Sequence, residues 1–113
     1  MSLKNSVSLI LLTSIDSATI AVINYTAINP TGLGAPCFLI RIINNSNEDI
    51  TVSFDGINDN EFVPKTSYIA INTQTNAAPN NYVSKFSQGT KIYVRGTAGI
   101  GLIYLAGYYS PNQ

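Results

Sequence analysis

The chain has 113 residues, a length typical of one domain, and six basic residues balance six acidic ones. This balance argues against a nucleic-acid binder that depends on general positive charge. The absence of His and the single Cys exclude Cys/His zinc sites, Ser-His-Asp or Cys-His catalysis, and a disulfide within the chain. Charged residues are only 11% of the chain, whereas 34 of its residues are Asn, Ser or Thr. A surface so poor in charge either contacts partner chains or meets water through these polar residues, which favours a structural or recognition module over a metabolic enzyme.

Signals for β-strands recur at short spacing, and signals for helices are almost absent. Ile, Val, Thr and Tyr are common, as in strands. We predict strands at residues 6–13, 18–27, 36–45, 49–55, 67–73, 82–86, 90–95 and 101–109. The pattern predicts one all-β domain over residues 1–113, either an antiparallel β-sandwich or a jelly-roll-like barrel of about eight strands.

The first apolar segment runs from Val7 to Leu12. Lys4 ahead of it gives a slight likeness to a signal sequence, but Asp16 follows closely and we favour a first strand. No apolar run approaches the roughly 18–20 residues of a membrane helix, so we expect no membrane partner. Two segments rich in Pro, Gly and Asn, residues 29–36 and 72–81, are predicted loops.

Two residues stand out in the apolar run around the third predicted strand. Cys37 is expected to behave as a small buried hydrophobe. Arg41 is a charge in a segment that fits either a central strand covered on both faces or a strand with one face in a subunit interface. A buried Arg needs a carboxylate, for which Asp49, Asp55 or a neighbouring subunit could serve. The alternative is an Arg at a strand edge whose head extends into water.

Five of the six acidic residues lie between positions 48 and 61. Asp55, Asp59 and Glu61 present oxygen atoms at a spacing that suits calcium, but the spacing does not fit an EF-hand loop. We favour an Asp-Gly turn whose side chains cap their own backbone, and we predict no metal and no cofactor. Pairs of these carboxylates also suit the separation in a glycosidase, but so short a chain leaves little room for a substrate cleft. We therefore predict no catalytic residues.

The chain has seven tyrosines and no tryptophan. Tyr side chains suit protein interfaces and sugar stacking alike, and the alternative is that they pack on neighbouring strands. Tyr93 is expected to point outward, opposite its buried neighbours on the strand. We predict interface roles for Arg41, Tyr93, Tyr108 and Tyr109. The glycine-rich segment 96–101 lacks the Lys-Ser/Thr pair of a phosphate loop and is predicted to be a hairpin turn.

Four features follow one another along residues 38–109. They are a hairpin that ends in Ser53-Phe54-Asp55-Gly56, the segment Phe62-Val63-Pro64, a strand Gly89-Thr90-Lys91-Ile92-Tyr93-Val94, and an aromatic last strand over 103–109. The pattern resembles small β-sandwich proteins of tailed-bacteriophage virions, which belong to the capsid surface, the neck or the tail. The resemblance covers none of the N-terminal third and includes no catalytic motif.

The resemblance implies a non-enzymatic structural subunit of a phage particle, assembled in the host cytoplasm and located in the virion. It would decorate or cement the capsid, or sit at the head–tail junction. Its expected partners are copies of itself and other virion proteins, with no nucleic acid and no membrane. The alternative is a receptor- or glycan-binding module of a phage tail or fibre. That module would use the loops at 55–62 and 74–82, with Asp55, Asp59, Glu61 and Tyr82.

Overall fold

The computed structural model describes residues 7–73 and 85–110. These residues form nine β-strands and one 3₁₀ helix, Ser17–Thr19, and contain no α-helix. The strands are β1 (Ser8–Leu9), β2 (Thr13–Asp16), β3 (Thr26–Ala27), β4 (Leu39–Ser46), β5 (Ile50–Ser53), β6 (Glu61–Val63), β7 (Ser67–Asn72), β8 (Tyr93–Gly96) and β9 (Gly101–Tyr109). The all-β prediction is confirmed. Within the described part of the chain, no helix has the length and apolar character needed to cross a membrane.

The strands form two antiparallel sheets. In the first sheet the order is β1, β9, β4, β7, and β2 also pairs with β9, so β1 and β2 act as one interrupted edge strand. In the second sheet the order is β3, β8, β5, β6. The chain folds back on itself once, so that its early strands pair with its late strands. The successive pairs alternate between the two sheets: β2·β9, β3·β8, β4·β7 and β5·β6. This is the strand order of a jelly roll, and the predicted β-sandwich is confirmed.

The core lies between the two sheets and follows from period-two alternation. Ile40 and Ile42 on β4 and Leu105 on β9 point inward from the first sheet, and Val52 and Val94 point inward from the second; all five are 0% exposed. Burial of such side chains stabilises a fold by about 1.5–3 kcal/mol each. The facing rows therefore hold the sheets together.

A buried amide marks the crossing from the first sheet to the second. Asn44, at 0% exposure, donates from Nδ2 to the carbonyl oxygens of Glu48 at 2.8 Å and Val63 at 3.2 Å. Its Oδ1 accepts from the backbone N–H of Ser46 at 3.2 Å. A buried polar side chain is tolerated when its hydrogen bonds are satisfied. Asn44 therefore joins the end of β4 to β6 across the core.

The strand predicted at 18–27 is wrong over most of its length. Asp16 accepts a hydrogen bond from the backbone N–H of Ala18 at 3.0 Å, so the chain leaves β2 in a 3₁₀ helix instead of continuing as a strand. Only Thr26–Ala27 of the predicted range is strand. The short strands β2 and β6 were not predicted as separate elements. Of the strand predicted at 82–86, residues 82–84 lie outside the described part of the chain, and Phe86 pairs with Cys37 in an isolated bridge.

Candidate interaction surface

The side of the first sheet that faces away from the core is mostly apolar and aromatic; we call it the first-sheet outer face. Its members, strand by strand, are Leu9 on β1, Ser14 and Asp16 on β2, Leu102, Tyr104, Ala106 and Tyr108 on β9, Leu39, Arg41, Ile43 and Asn45 on β4, and Tyr68, Ala70 and Asn72 on β7. An antiparallel sheet with one buried face normally carries polar side chains on the other. This face departs from that rule.

Cross-strand pairs build the apolar part of this face. Tyr104, Ile43 and Tyr68 lie side by side on three neighbouring strands. The next apolar row joins Leu9, Tyr108 and Leu39. Tyr68 is 59% exposed and Leu9 is 61% exposed, so the edges of the patch are open to water. Contiguous apolar surface of this kind marks interaction sites on soluble proteins.

Arg41 lies in the middle of the first-sheet outer face. Ala106 and Ala70 are its neighbours on the adjacent strands, and these small side chains leave room for the guanidinium. The guanidinium stands 4.8 Å from the ring centroid of Tyr68, a cation–π contact. Among the described residues no carboxylate forms an ion pair with it. In this part of the chain, the charge therefore rests on an aromatic ring and not on a carboxylate.

Both carboxylates proposed from the sequence as partners of Arg41 are engaged elsewhere, so that part of the prediction is wrong. Asp49 accepts a hydrogen bond from the backbone N–H of Lys65 at 2.8 Å. Asp55 lies in a turn on the second sheet and bonds its own loop. A partner on a neighbouring subunit stays a prediction.

The outer face of the second sheet is organised differently. Arg95 lies 5.2 Å from the ring centroid of Tyr25 and forms an ion pair with Asp59 at 2.6 Å. Tyr93 points outward, as predicted, but it is half-buried, because its ring lies about 3.4 Å from the position that a Cβ on Gly56 would take. The loop after β5 thus covers this predicted interface residue.

The acidic loop uses the exposed carboxylate of Asp55 to bond its own backbone. Asp55 accepts hydrogen bonds from the backbone N–H groups of Asn58 and Ile57, both at 2.8 Å, from the side chain of Asn58 at 2.9 Å and from the hydroxyl of Ser53 at 2.8 Å. These bonds, those to Asn58 and Ile57 first, hold the pKa of Asp55 well below its usual range. The turn that caps its own backbone is confirmed.

The remaining loop residues from the sequence do not converge on a site with Asp55. Asp59 is held by Arg95, and Glu61 is exposed at the start of β6. Across residues 7–73 and 85–110, no three His, Cys, Asp or Glu side chains lie close enough to hold a metal ion. Tyr82 lies outside the described residues.

The two last predicted interface residues are consecutive on β9 and therefore face opposite sides. Tyr108 belongs to the first-sheet outer face, whereas Tyr109 packs against the core.

Tyr109 also lines a cavity of about 420 Å³ between β1 and the 29–35 loop. The amide of Asn29 in that cavity already bonds the backbone of Thr90 and Ile92, so few free polar groups remain to orient a ligand.

Sequence reasoning missed Tyr104 and Tyr68 as members of this surface. The signal for Tyr104 was present, because Tyr104, Ala106 and Tyr108 alternate along one strand and must share a face. Tyr68 could not be placed, because its position beside Ile43 depends on the pairing of β7 with β4.

Comparison with models of protein families found no matching family, and comparisons with curated proteins and with solved structures found no significant match.

Proposed function

We propose that this chain is a non-enzymatic structural subunit of a tailed-phage particle, which decorates or cements the capsid or sits at the head–tail junction. It attaches through the first-sheet outer face. The observation that carries the proposal is an apolar, tyrosine-rich sheet face with Arg41 at its centre, to which no carboxylate of the described residues is paired. Such a face is most stable when a partner surface covers it and supplies the missing negative charge.

Three further observations support this function. The jelly roll is a common fold of viral capsid proteins, although it also serves lectins and cupins, so the fold alone does not decide. The scarcity of charge, 11% of residues, suits a subunit whose surface is largely covered in an assembly. Tyr and Arg are also the residue types enriched at interface centres.

The test is association with the particle. Virions of the phage whose genome carries this reading frame are purified on a density gradient and probed for the chain. The purified chain is then sedimented with particles that lack it. We expect the chain in the virion band and saturable co-sedimentation. Absence from purified virions together with no co-sedimentation contradicts the proposal.

A matched pair of variants locates the attachment face. Tyr68 and Phe62 are aromatic residues on the edge strands β7 and β6, with similar exposures of 59% and 55%. Tyr68→Ser removes the ring that supports Arg41, and we expect it to weaken co-sedimentation at least about tenfold. Phe62→Ser alters the opposite sheet, and we expect binding within about twofold of the wild type. Equal losses for both variants exclude the first-sheet outer face.

The purified chain can also be tested for glycan binding through the 55–62 and 74–82 loops. Asp55 and Asp59 are occupied by internal bonds, so nothing in the described part of the loop favours this function. Binding to host polysaccharide that is lost on chelation, with no binding to particles, would replace the proposal.

A further inference from the structure

We infer that, when no particle covers it, the first-sheet outer face binds a second copy of this chain, face to face, with Arg41 of each copy paired to Asp16 of the other. The two-fold axis lies in the plane between the facing first sheets of the two copies, and it passes by Tyr104. The inference rests on the proposed function for the use of this surface, and it names one partner that the surface fits.

The register of the sheet places the three residues symmetrically. Arg41 is paired with Ala106, two residues along β9 from Tyr104. Asp16 is paired with Leu102, two residues from Tyr104 in the other direction, and lies on the opposite neighbouring strand. Tyr104 is therefore the midpoint between the two charges. A two-fold axis through this midpoint and perpendicular to the line between them brings each Arg41 over the Asp16 of the other copy.

Charge complementarity selects this arrangement. Arg41 and Asp16 are the two charged side chains on the first-sheet outer face as the structure describes it. They are four residues and two strands apart, about 16 Å at normal strand spacings, and cannot pair within one copy. Asp16 uses Oδ1 to accept from Ala18, which leaves Oδ2 for a guanidinium. An axis through Arg41 would instead oppose two guanidinium groups.

The same arrangement also brings apolar groups of the two copies into contact. Tyr104 meets its own symmetry copy at the axis, where two aromatic rings can stack. Four strands at about 4.8 Å spacing and nine residues at about 3.3 Å rise give a face on the order of 570 Å². This is about 70% of the roughly 800 Å² per partner of a stable complex. We therefore expect a weak dimer, populated at micromolar to millimolar protein.

A charge exchange tests the pairing. The full chain and the variants Arg41→Asp, Asp16→Arg and the double variant R41D/D16R are compared by sedimentation equilibrium over a wide concentration range. We expect each single variant to weaken dimerisation at least about tenfold, and the double variant to return within about threefold of the wild type. Circular dichroism confirms that each variant is folded. A monomer at the highest concentration, or a double variant no better than the single ones, overturns the inference.

Cysteine substitution tests the axis independently of charge. The native Cys37 is 0% exposed and leaves the surface free of thiols in the described part. Tyr104→Cys places two thiols at the axis on facing sheets about 10 Å apart, and it is expected to form a covalent dimer with a short bis-maleimide cross-linker. Ala70→Cys lies on the same face, but about 11 Å from the axis at normal strand spacings, and is expected to stay monomeric. Equal cross-linking of both variants, or none of Tyr104→Cys, overturns the geometry.

The two proposals fail separately. If Tyr68→Ser abolishes particle binding while the charge exchange has no effect on self-association, the attachment function stands and the dimer is wrong. If the charge exchange restores the dimer but the chain never appears in purified virions, the dimer stands and the phage function is wrong.

Discussion

Each outer face of this sandwich carries an Arg side chain over a Tyr ring, and the two Arg side chains differ in whether a carboxylate is paired with them. On the second sheet, Arg95 rests on Tyr25 and has an internal carboxylate, Asp59. On the first sheet, Arg41 rests on Tyr68, and no carboxylate is paired with it in the described part of the chain. The acidic loop that follows β5 covers one face and leaves the other open.

This difference concerns which outer face has its aromatic and charged side chains covered or paired within the chain. On the second outer face, the loop after β5 covers Tyr93 and Asp59 pairs with Arg95, while Phe62 stays 55% exposed. Within residues 7–73 and 85–110, the first outer face keeps apolar rows and an arginine with no carboxylate partner, and the proposed attachment rests on this combination. The predictions below test this contrast.

The largest expected effect separates the inner and outer sides of a single strand. Ile42 and Ile43 are adjacent on β4, and Ile42 is 0% exposed whereas Ile43 is half-buried on the first-sheet outer face. Ile42→Ala is expected to lower the free energy of unfolding by about 2–5 kcal/mol, because it leaves a cavity. Ile43→Ala is expected to cost about 1 kcal/mol or less, and to weaken self-association instead. Urea unfolding and sedimentation measure the two effects. Equal losses of stability would show that the outer face is part of the folding core.

The second effect concerns the loop that covers the second sheet. Asp55→Asn weakens the hydrogen bonds to Asn58, Ile57 and Ser53, and we expect a loss of stability smaller than that of Ile42→Ala. Because the folded-state pKa of Asp55 lies below its unfolded value, the stabilisation is complete above about pH 5 and is lost as the pH falls below about 4.

Urea unfolding of the wild type and Asp55→Asn across pH 2–7 tests the sign of this dependence. The two midpoints should differ at neutral pH and converge in acid. Asp59→Asn is the control for a general loss of negative charge, since its carboxylate contacts Arg95 and not the turn. A difference that grows on acidification would contradict the role of Asp55.

The smallest effect compares the two arginines directly. The ion pair of Arg95 with Asp59 is 35% and 46% exposed, so water screens it, and Arg95→Met is expected to cost about 0.2–1 kcal/mol. Arg41→Met removes a charge that has no carboxylate partner in the described chain, and its cost should be near zero. Thermal unfolding of dilute monomer measures both variants. A larger loss for Arg41→Met would mean that its contact with Tyr68 stabilises the monomer.

The sequence alone determined the class of this fold and several local features. Period-two alternation and the wealth of Ile, Val, Thr and Tyr predict a two-layer β protein, because these patterns act between near neighbours. The same local reasoning placed the Asp55-Gly56 turn and the outward direction of Tyr93 correctly. It failed at 18–27, where a 3₁₀ helix and irregular chain precede the two-residue strand Thr26–Ala27. The two predicted hairpins are also wrong, because β4 and β5, like β8 and β9, lie in different sheets.

Only the tertiary structure decided which residues meet. Asp59 and Arg95 are 36 positions apart, and Tyr68 joins Arg41 only because β7 pairs with β4 in one register. The outward direction of a side chain follows from alternation, but whether a loop covers it depends on how distant strands pack. For this reason composition by itself could indicate only a surface poor in charge, whereas the packing of the two sheets and their loops decides which outward side chains are covered.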